Sequence, residues 1–533
     1  MKAYQSLICI VGSVAFIFLC CTNPNASSQS REAGALLQKP NAAPFKDFLG
    51  INAFEWDFLQ NPADPNNGLA IFEPKMALIQ SFGGVRHYLD WTKIEPQRGI
   101  YTFNPTASGG WNLDVIYQRC KASGIDVLVC LKTCPEWLLS TYPANERDNE
   151  NVPIPYGADK SHPASYLDQA KAGFQLAARY GSTRVDTSLL TVSRKPRWTN
   201  DPVNMAKTGL GLIKYIECDN ERDKWWKGNK ARQSAAEYAA NLSAFYDGDQ
   251  GRLGKAVGVK AADPNMKVVM AGLAAPDVHF VEEMINWCKD HRGFQKDGRI
   301  NLCFDIINYH LYANDHLSHH DQQGKVGVAP ELSEAAKVAD DFVALGNKYK
   351  LDVWVTESGY DINDKSPQRA IGIGDKSAMI TQADWTIRTA LLYARHSIRK
   401  NFFYMLYDDN LQSPTQYASS GFVNNNLSRR PVINYVSQVK NLMGDYHYSR
   451  TVSESPLVDV YEHANRKMYV LVNPEQQGHI VDYVLALPHC KQVAVHKLNA
   501  NGPMTISQPV VVKNGQLKIK VSETPTFIEP LNR

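Results

Sequence analysis

Eight short apolar runs, parted by stretches of helical period, constrain this chain more than any other feature. They lie at residues 48–54, 84–89, 126–131, 212–218, 267–273, 304–309, 353–356 and 402–407. β-Branched and aromatic residues dominate them, which predicts buried strands of a parallel sheet. Helix-period segments intervene at 164–180, 235–245, 332–349 and 378–396, and another at 431–443 closes the series. Strand and helix alternating through eight rounds predict an α/β fold, a (β/α)8 TIM barrel, over an open sheet. The connection 140–211 between the third and fourth strands is outsized and rich in Pro, Asn, Asp and Ser. That composition suits a loop shaping access to a barrel mouth and equally a surface elaboration.

At 533 residues the chain exceeds one ordinary core and suits a barrel over 45–445 with a smaller domain over 446–533. In the latter, short strands at 467–472, 492–495 and 517–521 are separated by Asn-Gly and Pro turns with no helical period between them. This predicts an all-β sandwich, read as scaffolding because no tryptophan cluster marks it as a glycan binder. The net charge of +3 comes from 57 basic and 54 acidic residues without a dense basic stripe, which argues against a nucleic-acid surface.

Lys2 followed by an apolar run from Leu7 to Leu19 is short for a transmembrane span and fits a signal peptide over residues 1–20. Cys20-Cys21 and a polar stretch follow, an arrangement that resembles a bacterial lipoprotein signal. The resemblance implies acylation of Cys21, residues 21–44 as a tether, and membrane attachment at the cell envelope through lipid alone. Ordinary cleavage and secretion is the alternative. Seven cysteines remain beyond the leader, with neither metal spacing nor a dense disulfide pattern. Cys130, Cys218 and Cys303 read as small core residues, and pairing of Cys130 with Cys134 depends on local geometry.

Two of the predicted strands end in glutamates. The run from Leu212 reaches Asn220-Glu221, and the run from Leu351 reaches Glu357. A carboxylate at the C-terminal end of a barrel strand points into the mouth. Two of them on different strands can protonate one oxygen and attack one carbon, as glycoside cleavage requires. Asn145-Glu146 repeats the dipeptide in a polar stretch after Pro143 with no strand before it, and reads as a solvated loop. No metal or cofactor is expected. Asp247-Gly248-Asp249-Gln250-Gly251 lacks the remaining ligands of a calcium loop, His319-His320 sits in a polar loop, and neither a phosphate-binding glycine loop nor a nucleophile elbow occurs.

The Asn220-Glu221 and Glu357 strand ends resemble the retaining glycoside hydrolases of clan A. Val85-Arg86 with Asp90-Trp91-Thr92-Lys93-Ile94-Glu95-Pro96 looks like the clan's second-strand block, and Asn308-Tyr309-His310-Leu311-Tyr312 like its sixth-strand end. The closing segment 521–529 is similar to the last strands of the sandwich appended to several families, family 39 among them. One departure is that Tyr404-Met405-Leu406-Tyr407-Asp408 carries no tryptophan where many members hold one at the eighth strand.

The resemblance implies Glu221 as acid/base and Glu357 as nucleophile, with Arg86 keeping Glu357 ionised and Asn220 bonding a substrate 2-hydroxyl. His310, Tyr312 and Tyr407 are expected at the site. Trp91, Trp137 and Trp225, beside Trp226, are candidate platforms for sugar rings, core packing being the equal alternative. Trp354, an odd number of residues from Glu357, is expected to face the helices. A poly- or oligosaccharide is the implied partner. A transglycosylase, or an inactive glycan-binding lipoprotein, would share this scaffold.

Overall fold

The computed structural model describes residues 43–64, 68–316 and 324–531. The leader, Cys21, most of the 21–44 tether and His319-His320 lie outside them. Eight parallel strands close into a barrel in sequence order: β1 (Leu49–Ala53), β2 (Gly84–Asp90), β3 (Asp126–Lys132), β4 (Tyr215–Cys218), β5 (Lys267–Met270), β6 (Ile306–His310), β7 (Asp352–Glu357) and β8 (Lys400–Phe403). Leu49 pairing with Asn401 and Ile51 with Phe403 seals the seam. One principal helix follows each strand: α1 (Glu73–Ile79), α2 (Leu113–Ala122), α3 (Leu167–Tyr180), α4 (Ala235–Asp247), α5 (Val278–Arg292), α6 (Ala335–Tyr349), α7 (Ala378–Arg395) and α8 (Pro431–Met443). Helix signals in the sequence are local and strong. Ser234 and Glu237 form a reciprocal capping box on α4, and Gly248 ends that helix in the left-handed region.

Side chains fill the barrel in layers, as the fold requires. The lowest is apolar: Leu128, Val269, Ile306, Trp354 and Phe402 form one buried cluster. A Cβ at Gly50 would overlap the Phe402 ring, so glycine on β1 makes room for a bulky residue from β8. Above it lies a polar layer of Asn52, Arg86, Cys130, Glu217, Asn308 and Thr356, all buried.

Trp354 therefore faces the barrel interior and not the helices, a correction with a definite cause. The β6–β7 ladder slips between Tyr309–Val355 and His310–Glu357, so one extra residue on β7 brings Thr356 and Glu357 successively to the interior. Odd spacing no longer means opposite faces. Two strand boundaries also move. Residues 212 and 213 donate their amides to the Tyr180 carbonyl at the end of α3, so β4 begins only at Tyr215. β8 starts at Lys400, whose ammonium bonds the Asp47 carbonyl and the Asp126 carboxylate, and it ends at Phe403, not at 407.

The C-terminal region is all β. The predicted strands correspond to β11 (Arg466–Val472), β13 (Gln492–Lys497) and β15 (Gln516–Val521). They are joined by β9 (His447–Glu454), β10 (Leu457–His463), β12 (Val481–Ala486), β14 (Ile506–Val511) and β16 (Thr526–Pro530). Six strands in the order β14-β13-β16-β11-β10-β9 face the β12–β15 pair across a core that includes Val458, Leu471, Leu485, Val493, Leu517 and Ile528. Lys376 locks the sandwich to the barrel, reaching Asp384 on α7 at 3.0 Å and Glu523 at 2.7 Å.

The 140–211 connection packs against the loops after β2 and β4 rather than hanging free. Glu150 pairs with Lys224 and Lys227 on the loop after β4, and Asn204 accepts from the Phe103 and Asn104 amides. Cys130 and Cys134 do not pair. The first Sγ lies beside Arg86 and the Asp219 carbonyl, the second on the Asn151 carbonyl. Among the described residues no helix is long and apolar enough to cross a membrane.

Candidate active site

Past Cys218 the chain turns sharply at the barrel mouth, with Asp219 at φ 71° and Glu221 at φ 50°, a left-handed region that non-glycine residues enter at a cost of ~1–3 kcal/mol each. The surroundings over-determine this turn. Buried Arg222 bonds Asp219, Gln233 and the Ala231 carbonyl, while the Asp223 carboxylate accepts the Ala274 and Ala275 amides of the loop after β5. The turn carries Glu221 over the mouth, opposite Glu357 at the end of β7.

Arg86 organises the floor between them and is fully buried. Its Nε and Nη2 grip Glu217 at 2.6 and 3.0 Å, Nη1 reaches Glu357 at 2.7 Å, and Nη2 also donates to Asn220 Oδ1 at 2.8 Å. Glu217 accepts further from Asn308 and from the Gly272 amide. One buried cation thus faces two carboxylates, and charge-assisted hydrogen bonds satisfy every group.

Glu357 takes the Tyr88 hydroxyl and Arg86 on one oxygen and the Tyr312 hydroxyl at 2.9 Å on the other. Burial pushes its carboxyl up, but the charges of His310 and Arg86 and the Tyr88 hydrogen bond outweigh it and hold the group below the ordinary glutamate value. His310 Nδ1 lies 2.8 Å from Glu221 and 3.6 Å from Glu357, with Nε2 3.1 Å from the Thr356 hydroxyl. Burial lowers its pKa; Glu357 and Glu221 more than reverse that, so the imidazole titrates above its usual range. Gly272 permits this placement, because a Cβ there would overlap the His310 ring.

One carboxylate oxygen each of Glu221 and Glu357, with a nitrogen of His310, all lie within 4.8 Å of one another. That is below the ~6.5–9.5 Å of carboxyl pairs that leave room for a water and close to the ~5–5.5 Å of pairs in which one carboxylate attacks directly. The three could surround a cation by distance alone. A histidine biased towards its protonated form is a poor ligand, however, and the buried Arg86 already supplies positive charge, so the arrangement favours proton transfer and nucleophilic attack.

Of the residues singled out from sequence, Arg86, Asn220, Glu221, His310, Tyr312 and Glu357 converge here. Trp91 does not. It is 1% exposed, donates to Glu95 and packs edge-on against Trp137, so it is core and offers no face to a ligand. Trp137 and Trp225 are half-buried on short helical turns after β3 and β4, Trp137 tied by its indole N–H to the Glu95 carbonyl and Trp225 edge-on to Trp226. Neither is joined to the glutamate pair by a hydrogen bond or ring contact among the described residues. Tyr407 belongs to a separate cluster, its ring 5.2 Å from the Lys75 ammonium. Because β8 ends at Phe403, the first residue beyond the strand is Tyr404, which stands edge-on to Tyr88.

Sequence reasoning passed over Asn52, Tyr88, Glu217, Thr356, Tyr404 and Tyr417. Tyr88 and Glu217 carried a usable signal: each lies an even number of residues from an inward-facing neighbour on its own strand, Arg86 and Tyr215. Tyr417, whose ring lies 4.3 Å from Tyr312, sits in the long loop after β8 and carried none. Phe54 stacks between Trp56 and Tyr88 at 4.5 and 5.4 Å, adding an aromatic wall beside β1.

No family model matches the chain, and no curated protein matches it. Solved structures do. A family 39 glycoside hydrolase from the gut symbiont Bacteroides cellulosilyticus WH2 superposes with a TM-score of 0.60 at 16% identity, covering 92% of this chain and 81% of that one. A GH51 α-L-arabinofuranosidase from Thermotoga petrophila RKU-1 gives 0.54 at 12% identity, over 91% and 97%. A GH30 endoxylanase from Clostridium papyrosolvens C71 gives 0.51 at 11%, over 91% and 96%. At these identities the likeness establishes the fold, a barrel with an appended β domain.

Proposed function

We propose that this protein is a retaining glycoside hydrolase that cleaves a β-linked poly- or oligosaccharide by double displacement. The observation that carries the reading is the close approach of Glu221 to Glu357, with the latter held ionised by Arg86 and by two tyrosine hydroxyls. That the solved structures of similar fold are glycoside hydrolases supports it further.

In the first step Glu357 bonds to the anomeric carbon as the bond to the leaving oxygen breaks, and Glu221 gives its proton to that oxygen. In the second, Glu221 takes a proton from water, whose oxygen displaces Glu357 from the same carbon. His310 supports the ionised Glu221 that exists between the steps through its 2.8 Å contact. Asn220 has its carbonyl oxygen engaged by Arg86, which leaves its amide nitrogen to donate to the sugar 2-hydroxyl.

Incubation with a panel of β-linked xylans, glucans, galactans and arabinofuranosyl glycans, followed by reducing-end release, tests the activity. On the substrate that responds, the first product seen by NMR is expected to keep the anomeric configuration. An inverted first product overturns double displacement; elongated oligosaccharides would assign a transglycosylase, and binding without turnover a glycan receptor.

For location we propose lipid attachment through Cys21, with residues 22–43 as leash, their Ser, Asn, Ala and Pro content giving little to bury. Replacing Cys20 and Cys21 with serine is expected to move the protein out of the membrane fraction or block its processing. A native protein found in the medium and starting beyond Cys21 would instead mean plain secretion.

A further inference from the structure

A second opening lies at the other end of the barrel, where the strands begin. It is a cleft of about 410 Å³, within the ~300–1,000 Å³ of small-molecule sites. Lys267 opens β5 at its edge, Asp305 precedes β6, and Leu351 precedes β7. Residues at this face of a barrel serve stability and not chemistry, so nothing in the reaction proposed above calls for an opening here.

The charges around it are unbalanced. Lys267, Arg299, Lys348 and Lys350 line the cleft against a single carboxylate, Asp305. That carboxylate is already satisfied by Lys260 at 2.9 Å, by Lys267 at 3.5 Å and by the Val268 amide. Arg299 is held by Asp297. Lys348 and Lys350 are exposed and have no carboxylate partner among the described residues. Between them sits Tyr349, 5.1 Å from the Lys348 ammonium and half-buried in the cleft wall. Phe294, 59% exposed, stands on the adjoining loop, bridged to the lining residue Ile300.

Ammonium groups without a carboxylate partner, one of them over the Tyr349 ring, beside an aromatic wall suit a ligand with both an anionic group and an apolar face. A sugar acid or sulfated sugar has both: C–H groups that pack on tyrosine, and a carboxylate or sulfate that meets lysine. A free inorganic anion would leave the aromatic wall unused. We propose that this cleft is a second, non-catalytic glycan site that takes an acidic oligosaccharide, uronate- or sulfate-bearing. The proposal does not depend on the reaction assigned to the barrel mouth.

Calorimetric titration of the full chain carrying Glu357→Gln, to prevent turnover, tests it. The probes are tetragalacturonate, a sulfated galactan tetrasaccharide, neutral xylotetraose and inorganic sulfate. At least one acidic tetrasaccharide is expected to bind more tightly than xylotetraose and sulfate, and to weaken as salt is raised; which one binds separates uronate from sulfate ester. Lys348→Ala with Lys350→Ala, and separately Arg299→Ala on the facing loop, should each weaken that binding at least about tenfold. In the Glu357-containing protein these changes should leave turnover of a short soluble substrate unaltered. All three cations are exposed, so the variants should melt with the parent protein. Acidic-sugar binding that survives the lysine double variant places the ligand elsewhere and overturns the proposal. So does binding of xylotetraose or inorganic sulfate that is as tight and as sensitive to the lysine changes, or no binding of either acidic probe.

Discussion

Replacing Glu357 with alanine is expected to lower kcat on the responding glycan by at least ~10⁴-fold, the largest single loss available in the molecule. The group removed is both the attacking atom and the counter-charge of Arg86. Because Arg86 stays bound to Glu217 at 2.6 and 3.0 Å, the vacated space should remain ordered and cationic. Added azide should therefore enter it, bond to the anomeric carbon of an aryl glycoside and restore turnover, giving a glycosyl azide of inverted configuration. Rescue that yields a retained azide, or a variant with near-parental activity, would remove Glu357 from the nucleophile's role. In the parent protein the acid limb of kcat/KM reports protonation of this carboxyl. His310 and Arg86 hold it below its ordinary value of about 4.5, so activity is expected to persist below that pH and to fall only as the depressed pKa is crossed. An acid limb well above pH 4.5 would contradict the ion-pair network.

Glu221→Gln keeps the shape of the second carboxyl and removes its proton. Turnover of a natural glycan, whose leaving oxygen needs that proton, should fall ~10²–10⁴-fold. A nitrophenyl glycoside needs no such help in the first step and should form the glycosyl-enzyme at near-parental rate, then stall for want of a base. The expected signature is a burst of one nitrophenol per enzyme followed by slow release. Equal slowing of both steps on both substrates would mean that Glu221 orders the site without moving a proton. His310→Gln separates these roles. It keeps a hydrogen-bond donor beside Glu221 but removes the charge, so the burst should survive while the second step slows.

Local rules carried much of the molecule. Buried strands announce themselves by composition, and helices by period and caps such as Ser234 with Glu237, because both are decided by neighbours within a few residues. The same rule placed Glu221, His310 and Glu357 at strand ends, which a barrel points into one mouth, and Arg86 within the second strand. Tyr407 and Trp91 mark where this fails. Period and composition do not say where β8 begins and stops: its start is fixed by Lys400 finding Asp126 across the barrel floor, and its last pairing is that of Phe403 with Ile51. Nor do they tell an aromatic that plugs the core from one that lines a wall, since both follow a strand.

The sequence alone thus determined the architecture, its two domains and the two glutamates that face each other, all of which follow from short-range pattern. Only the tertiary structure decided which face each of the remaining residues presents. The slip in the β6–β7 ladder turns Trp354 inward, the left-handed turn at Asp219 and Glu221 aims the second carboxyl, and Glu217 and Glu357 share Arg86 across 131 and 271 residues of sequence separation. The physical reason is that burial of charge is a property of the assembled layer: a lone arginine or glutamate in a strand says nothing of its partner until eight strands have closed around both.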